Sequence, residues 1–111
     1  MKVTLGALTK LHEDWQGVDN FYLFFQLDIE FEDNKKGYES FSFTVVSPKR
    51  LETLIPENGI EIGRGYIIMN NFDIQLIEKK IKHIIEICSC ESINQTIANL
   101  SKFFIYETDN I

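Results

Sequence analysis

Residues 21–31 alternate without a break. Phe21, Leu23, Phe25, Leu27, Ile29 and Phe31 fall on one side; Tyr22, Phe24, Gln26, Asp28 and Glu30 fall on the other. A period of two predicts a strand with one apolar face and one partly wet face, as in an antiparallel sheet covered on one side. The pattern returns from Tyr38, where Phe41, Phe43 and Val45 alternate with Ser40, Ser42 and Thr44. Residues 32–37, EDNKKG, have the polarity of a hairpin loop between these two strands. Upstream, Val3, Leu5, Ala7 and Leu11 share one side of a further alternating segment, which predicts a first strand. Residues 14–20, DWQGVDN, predict a loop by their Gly, Asp and Asn content. Three strands in series make a meander.

The period then changes within two residues. Ser47 can cap a helix with its hydroxyl, and Pro48 suits the first helical position, where no N–H is needed. A short helix carrying Leu51 and Leu54 should stop before Pro56, with Asn58-Gly59 as a turn and a fourth strand over 62–69. This strand–helix–strand unit should set the fold. Asp73 is positioned to cap a long helix reaching about Cys88, with Ile74, Ile77, Ile81, Ile84, Ile85 and Cys88 as its apolar stripe. Ser92 and Gln95 have capping-box spacing and should open a second helix with Ile93, Ile97 and Leu100 inward. Residues 103–107, FFIYE, should close the chain as a short edge strand. The fold class is therefore α+β: a mostly antiparallel four- to five-stranded sheet, two main helices packed on one face, and a short helix after strand three.

At 111 residues with 44% hydrophobic and 25% charged side chains, residues 1–111 form one domain with a single core. Nine Phe against one Trp and four Tyr place most of the aromatic mass inside, because Phe has no polar handle. No window approaches a membrane-spanning length, and the N-terminus lacks an apolar signal region, so the expected location is cytoplasmic. Cys88 and Cys90 fit that compartment as thiols, since residues two apart rarely reach disulfide geometry.

Catalytic constellations are sparse. His83 precedes Cys88 by five residues, so the pair does not share a helix face cleanly, and a buried free Cys is ordinarily a small hydrophobe. Cys88 and Cys90 are half a metal motif without a second half. Gly59, Gly63 and Gly65 precede a strand rather than opening a helix, which is the wrong context for a phosphate loop. Neither a catalytic residue, a metal site nor a cofactor is expected. A hydrolytic enzyme would require a deep cleft with perturbed carboxylates or a Cys88–His83 contact.

Charge is more informative. The chain carries a formal −6 with a pI near 4.8. That balance argues against non-specific binding to nucleic acid or anionic membrane and is compatible with a basic partner. Residues 11–34 hold seven carboxylates, Glu13, Asp14, Asp19, Asp28, Glu30, Glu32 and Asp33, and no Lys or Arg. Asp28 and Glu30 share the non-core face with Tyr22 and Phe24, and Trp15 lies within the acidic stretch. Aromatics beside uncompensated acids suggest docking to a basic surface. The plain alternative is a solvated face balanced by Lys79, Lys80 and Lys82; Trp15 could equally plug the end of the core.

Taken in order, several segments resemble the immunity protein 8 family of bacterial polymorphic-toxin systems. They are the Phe-rich strand ending in Gln26-Leu27-Asp28-Ile29, the run from Glu39 through Phe41, Phe43, Val45, Ser47, Pro48 and Lys49 to Leu51, and Gly63-Arg64-Gly65-Tyr66. Phe72-Asp73 opening the long helix, a cysteine near its end, a second helix and a Phe-rich C-terminal strand complete the likeness, which covers nearly the whole chain. One departure is Ile93, where the family pattern carries Trp. The resemblance implies a non-enzymatic protein that binds a cognate toxin domain and blocks it, as a monomer or weak homodimer. Many such toxins are nucleases with basic grooves, so Glu13, Asp14, Trp15, Asp19, Tyr22, Phe24, Asp28, Glu30, Glu32 and Asp33 become the expected toxin-binding surface. The alternative function is a small cytoplasmic scaffold or ligand-binding domain with a partner that is not a toxin.

Overall fold

The computed structural model describes residues 2–32 and 37–110, with the side chains of residues 109 and 110 left out. Five strands and three α-helices follow in the order β1 (Val3–Gly17), β2 (Asn20–Phe31), β3 (Tyr38–Val46), α1 (Pro48–Asn58), β4 (Tyr66–Ile68), α2 (Ile74–Cys88), α3 (Ile93–Leu100) and β5 (Ile105–Tyr106). A 3₁₀ turn, Glu107–Asn110, ends the described chain. The sheet order is β1-β2-β3-β4, with β5 also on β3. β1, β2 and β3 pair antiparallel, as expected of the meander, and β5 is antiparallel to β3. β4 runs parallel to β3, because α1 carries the chain back over the sheet before it pairs.

Phe21, Leu23, Phe25, Leu27 and Ile29 of β2 and Phe41, Phe43 and Val45 of β3 are nearly or fully buried, as the alternation predicts. They meet Ile77, Ile81, Ile84, Ile85 and Cys88 of α2, together with Leu100 and Phe104. Ile74, placed on the predicted stripe, is instead exposed at the first turn. Phe25 and Phe43 stack with ring centroids 5.4 Å apart, and Phe72 lies 6.3 Å from Phe25. Asp73 caps α2 by accepting from the amides of Gln75 and Leu76. Ser92 caps α3, but the Gln95 side chain donates to Asn99 rather than back to the cap, so only half of the capping box forms.

Five expectations need correction. Residues 14–17 are strand, not loop: β1 continues to Gly17, and Gly17 pairs with Asn20 across a tight turn. Register shifts at Gly6, Leu11 and Gln16 break the simple alternation of β1, so Ala7 pairs with Asp28 on the wet face while Leu8 pairs with Leu27 on the core face. Gly6 fits its bulge because a Cβ there would lie 3.0 Å from Glu30 Cγ and 3.1 Å from the Asp28 carbonyl oxygen. α1 runs through Pro56 to Asn58; Gly59 at φ 79° closes it by donating to the Ile55 carbonyl at 2.7 Å. A proline this near the end forfeits one helical bond without stopping the last turn. The fourth strand has three residues rather than eight, since Gly65 at φ 82° turns the chain immediately before Tyr66 and leaves Ile60 and Ile62 outside. The terminal strand shrinks similarly to Ile105–Tyr106.

Ser47 joins the two halves of the fold. It is fully buried, and its Oγ accepts from the amides of Arg50 at 3.2 Å and Phe21 at 3.1 Å. Ser47→Ala removes the cap and orphans the Phe21 N–H, so we expect a loss of about 2–3 kcal/mol. Urea unfolding of parent and variant checks this; an unchanged midpoint would show that the hydroxyl does not carry the junction.

Candidate functional site

Two faces of the sheet behave differently. α2 and α3 cover the face that bears Phe25 and Phe43. Val46 points the other way yet is fully buried, and Arg50 of α1 reaches Asp14 on that same side. α1 therefore covers one end of the second face. The remainder presents Tyr22, Phe24, Gln26, Asp28 and Glu30 from β2 and Ser40, Ser42 and Thr44 from β3, in the cross-strand register Phe24–Thr44, Gln26–Ser42 and Asp28–Ser40.

The acidic residues of 11–34 do not form one uniform patch. Asp14 accepts from Arg50 Nη1 at 2.7 Å, while Arg50 Nε donates to Asn20 at 2.7 Å. Asp19 lies 3.6 Å from Lys49. Glu13 pairs with Lys10, whose hydrogen bond, followed by one from Trp15, holds the Glu13 carboxyl below the usual carboxylate range. Arg50 is 7% exposed, so its pairing belongs to the interior more than to the surface. The first turn of α1 thus supplies cations that residues 11–34 lack. That function of Lys49 and Arg50 escaped the sequence reading because the contact spans 36 residues.

Asp28 is only 8% exposed; it accepts from Ser40 Oγ at 2.7 Å and Gln26 Nε2 at 3.1 Å. Glu30 is exposed beside Gly6, and Glu32 accepts from the Lys2 amide at 3.0 Å. Asp33 lies outside the described residues. Tyr22 and Phe24 are half-buried on the second face, together with Asp28 and Glu30. Trp15 faces the other way: its ring lies 4.9 Å from Phe21 and 5.9 Å from Phe72, so it closes the end of the core while staying 42% exposed.

A groove of about 170 Å³ lies on the second face, lined by Leu11, Phe24, Gln26, Ser40, Ser42 and Glu107, with Phe41 also contributing. The bulge at Leu11 forms one wall and the 3₁₀ turn the other. A separate apolar groove of about 470 Å³ lies between β4 and α2, with Ile68, Leu76 and Phe103 exposed and Lys80 among its lining residues.

The chemical candidates do not converge. Cys88 is buried, and burial pushes its thiol above the ordinary range, whereas His83 sits exposed with Nδ1 4.0 Å from Glu86. Among the described residues no group of three His, Cys, Asp or Glu side chains is placed to hold a metal ion, and no helix is long and apolar enough to cross a membrane.

Tyr66 shares the second face through its pairing with Thr44, and its hydroxyl donates to Glu61 at 2.8 Å. Desolvation first, then the Glu61 hydrogen bond and charge, push its phenol from the ordinary 10.0 up to about 12. The folded value exceeds the unfolded one, so the stability this adds is complete below pH 10 and is lost as pH climbs toward 12. In an ultraviolet tyrosinate titration, the step abolished by Tyr66→Phe should be centred near pH 12. Glu61→Gln should move that step down without restoring the ordinary value. If the step that Tyr66→Phe removes is centred near 10 instead, the contact is refuted.

The family model described as Immunity protein 8 matches residues 7–110. No curated protein and no solved structure matches the chain. The match takes in β2, β3, α1, α2 and α3 entire, with β1 from Ala7 onward; this chain belongs to the immunity protein 8 family.

Proposed function

We propose that this protein neutralises a cognate polymorphic toxin by stoichiometric contact with the toxin domain, acting in the cytoplasm as a monomer or weak homodimer and catalysing no reaction of its own. Family membership over residues 7–110 is the observation that carries this reading. A sheet face half-covered by its own helices supports it, because aromatic and carboxylate groups there stay within reach of another protein. A basic toxin, a nuclease among the candidates, would be attracted over distance to a chain of net charge −6.

The contact surface proposed is the one given by Glu13, Asp14, Trp15, Asp19, Tyr22, Phe24, Asp28, Glu30, Glu32 and Asp33. Within it, Tyr22, Phe24 and Glu30 are the natural direct contacts. Asp14 and Asp19 are tied to α1, and Asp28 shapes the local potential from beneath the surface.

Co-expression with the toxin encoded beside the gene should restore growth, and the two proteins should co-purify at one-to-one stoichiometry. Glu30→Lys with Glu32→Lys should slow association by roughly tenfold at low salt, with a smaller effect at high salt, because exposed charges steer encounter more than they hold the complex. Survival without any physical complex would refute stoichiometric neutralisation. An unchanged association rate would remove the acidic face from the interface.

A further inference from the structure

We infer that the groove on the second sheet face is a socket for one basic side chain, arginine above all, presented by the protein partner. The inference rests on the chain being a partner-binding protein and names what that partner must offer.

Size comes first. About 170 Å³ is less than the roughly 300–1,000 Å³ of small-molecule sites, and it suits a long side chain better than a cofactor. The lining is mixed in a way that fits a guanidinium. Phe24 supplies an aromatic floor and Leu11 an aliphatic wall, while Gln26, Ser40 and Ser42 offer polar atoms and Glu107 a carboxylate at the rim. A planar cation can lie over the ring, pack its stem along leucine and donate within its plane to carboxylate and amide oxygens. A lysine ammonium would satisfy the charge but not the stacking.

Charge supplies the second argument. Asp28 adjoins the groove, bonded to two of its lining residues, Ser40 and Gln26. A carboxylate only 8% exposed is ordinarily matched by a cation. The hairpin acids have theirs: Glu13 has Lys10, Asp14 has Arg50 and Asp19 has Lys49. Among the described residues, no lysine or arginine lies within 4.0 Å of Asp28, and its donors are a hydroxyl and an amide. His12 pairs with Phe24 across the strands, Glu30 follows Asp28 on the same face, and Lys10 pairs with Phe25 on the opposite face. A cation entering between Phe24 and Glu107 would complete the missing pairing. The groove beside β4 has the opposite character, with Lys80 among apolar walls, and does not attract the same group.

Binding to the neighbouring toxin domain tests the socket, using variants that alter it and one that does not. Ser42→Arg places the chain's own guanidinium in the groove, and Glu107→Lys reverses an exposed rim residue that cannot unfold the core. Each should raise Kd roughly tenfold or more, whereas Lys79→Glu on the exposed side of α2 should not. A double-mutant cycle should couple Glu107 to a single arginine or lysine of the toxin. If the parent binds and both groove variants bind within roughly twofold of it, the socket is wrong while the neutralising role stands. If the parent neither binds nor protects, the functional reading fails instead.

A titration of the chain alone with N-acetyl-arginine amide decides the socket separately. Saturable NMR shifts at Phe24, Gln26 and Ser42 with arginine, and none with the neutral citrulline analogue, support it. Equal responses or no response overturn it. A homodimer of the free chain that Ser42→Arg dissolves would assign the groove to a second copy and overturn the foreign side chain.

Discussion

One buried hydroxyl sets the geometry on which the remainder depends. Ser47 must end β3, begin α1 and hold β2, and it does so by accepting from the amides of Phe21 and Arg50. The Ser47 amide in turn donates to the Phe21 carbonyl, so the end of β3 is locked to the start of β2 from both directions. Pro48 fixes the first helical φ at the next residue. With the start of α1 immobilised, Arg50 can project only toward the hairpin, where Asn20 and Asp14 receive it. The same direction of α1 returns the chain parallel to β3 and makes β4 the outer strand.

Much of this was legible from residue order alone. Ser47, Asp73 and Ser92 were readable as caps because capping depends on a residue and its next three neighbours. The faces of β2 and β3 were readable because both strands are centrally paired and keep strict register. β1 was not, since three register shifts move Ala7 and Leu11 away from the side a period of two assigns them. Nothing in the residues at Gly6, Leu11 or Gln16 announces a bulge except the glycine. β4 and β5 were overestimated for another reason: apolar residues such as Ile62 and Phe103 look like strand but face outward from turns.

The candidate surface shows the same division between local and distant causes. That Tyr22, Phe24, Asp28 and Glu30 share a face follows from alternation, and the structure keeps them together. That 11–34 lacks basic residues is true along the chain but misleading in space. Lys49 and Arg50, brought over by α1, neutralise the tip of the hairpin, and Lys10 serves Glu13. Exposed pairs such as Lys49–Asp19 contribute little to stability, whereas Arg50, removed from water, orients the whole hairpin end.

These compensations are confined to one end of the sheet, and that asymmetry connects fold to function. α1 has eleven residues and is anchored at Ser47, so it reaches only the region around Val46, Asp14 and Asn20. α2 and α3 are committed to the phenylalanine core by the stripe from Ile77 to Leu100. Among the described residues no helix covers Phe24, Gln26 and Ser42, which stay half-exposed beside a carboxylate already withdrawn from solvent. A monomer selected for stability alone would gain by filling that face with apolar side chains and a covering helix, because burying polar groups brings little net energy. Gln26, Asp28, Ser40 and Ser42 there instead cost stability, and the docking role proposed for this face is what would offset that cost.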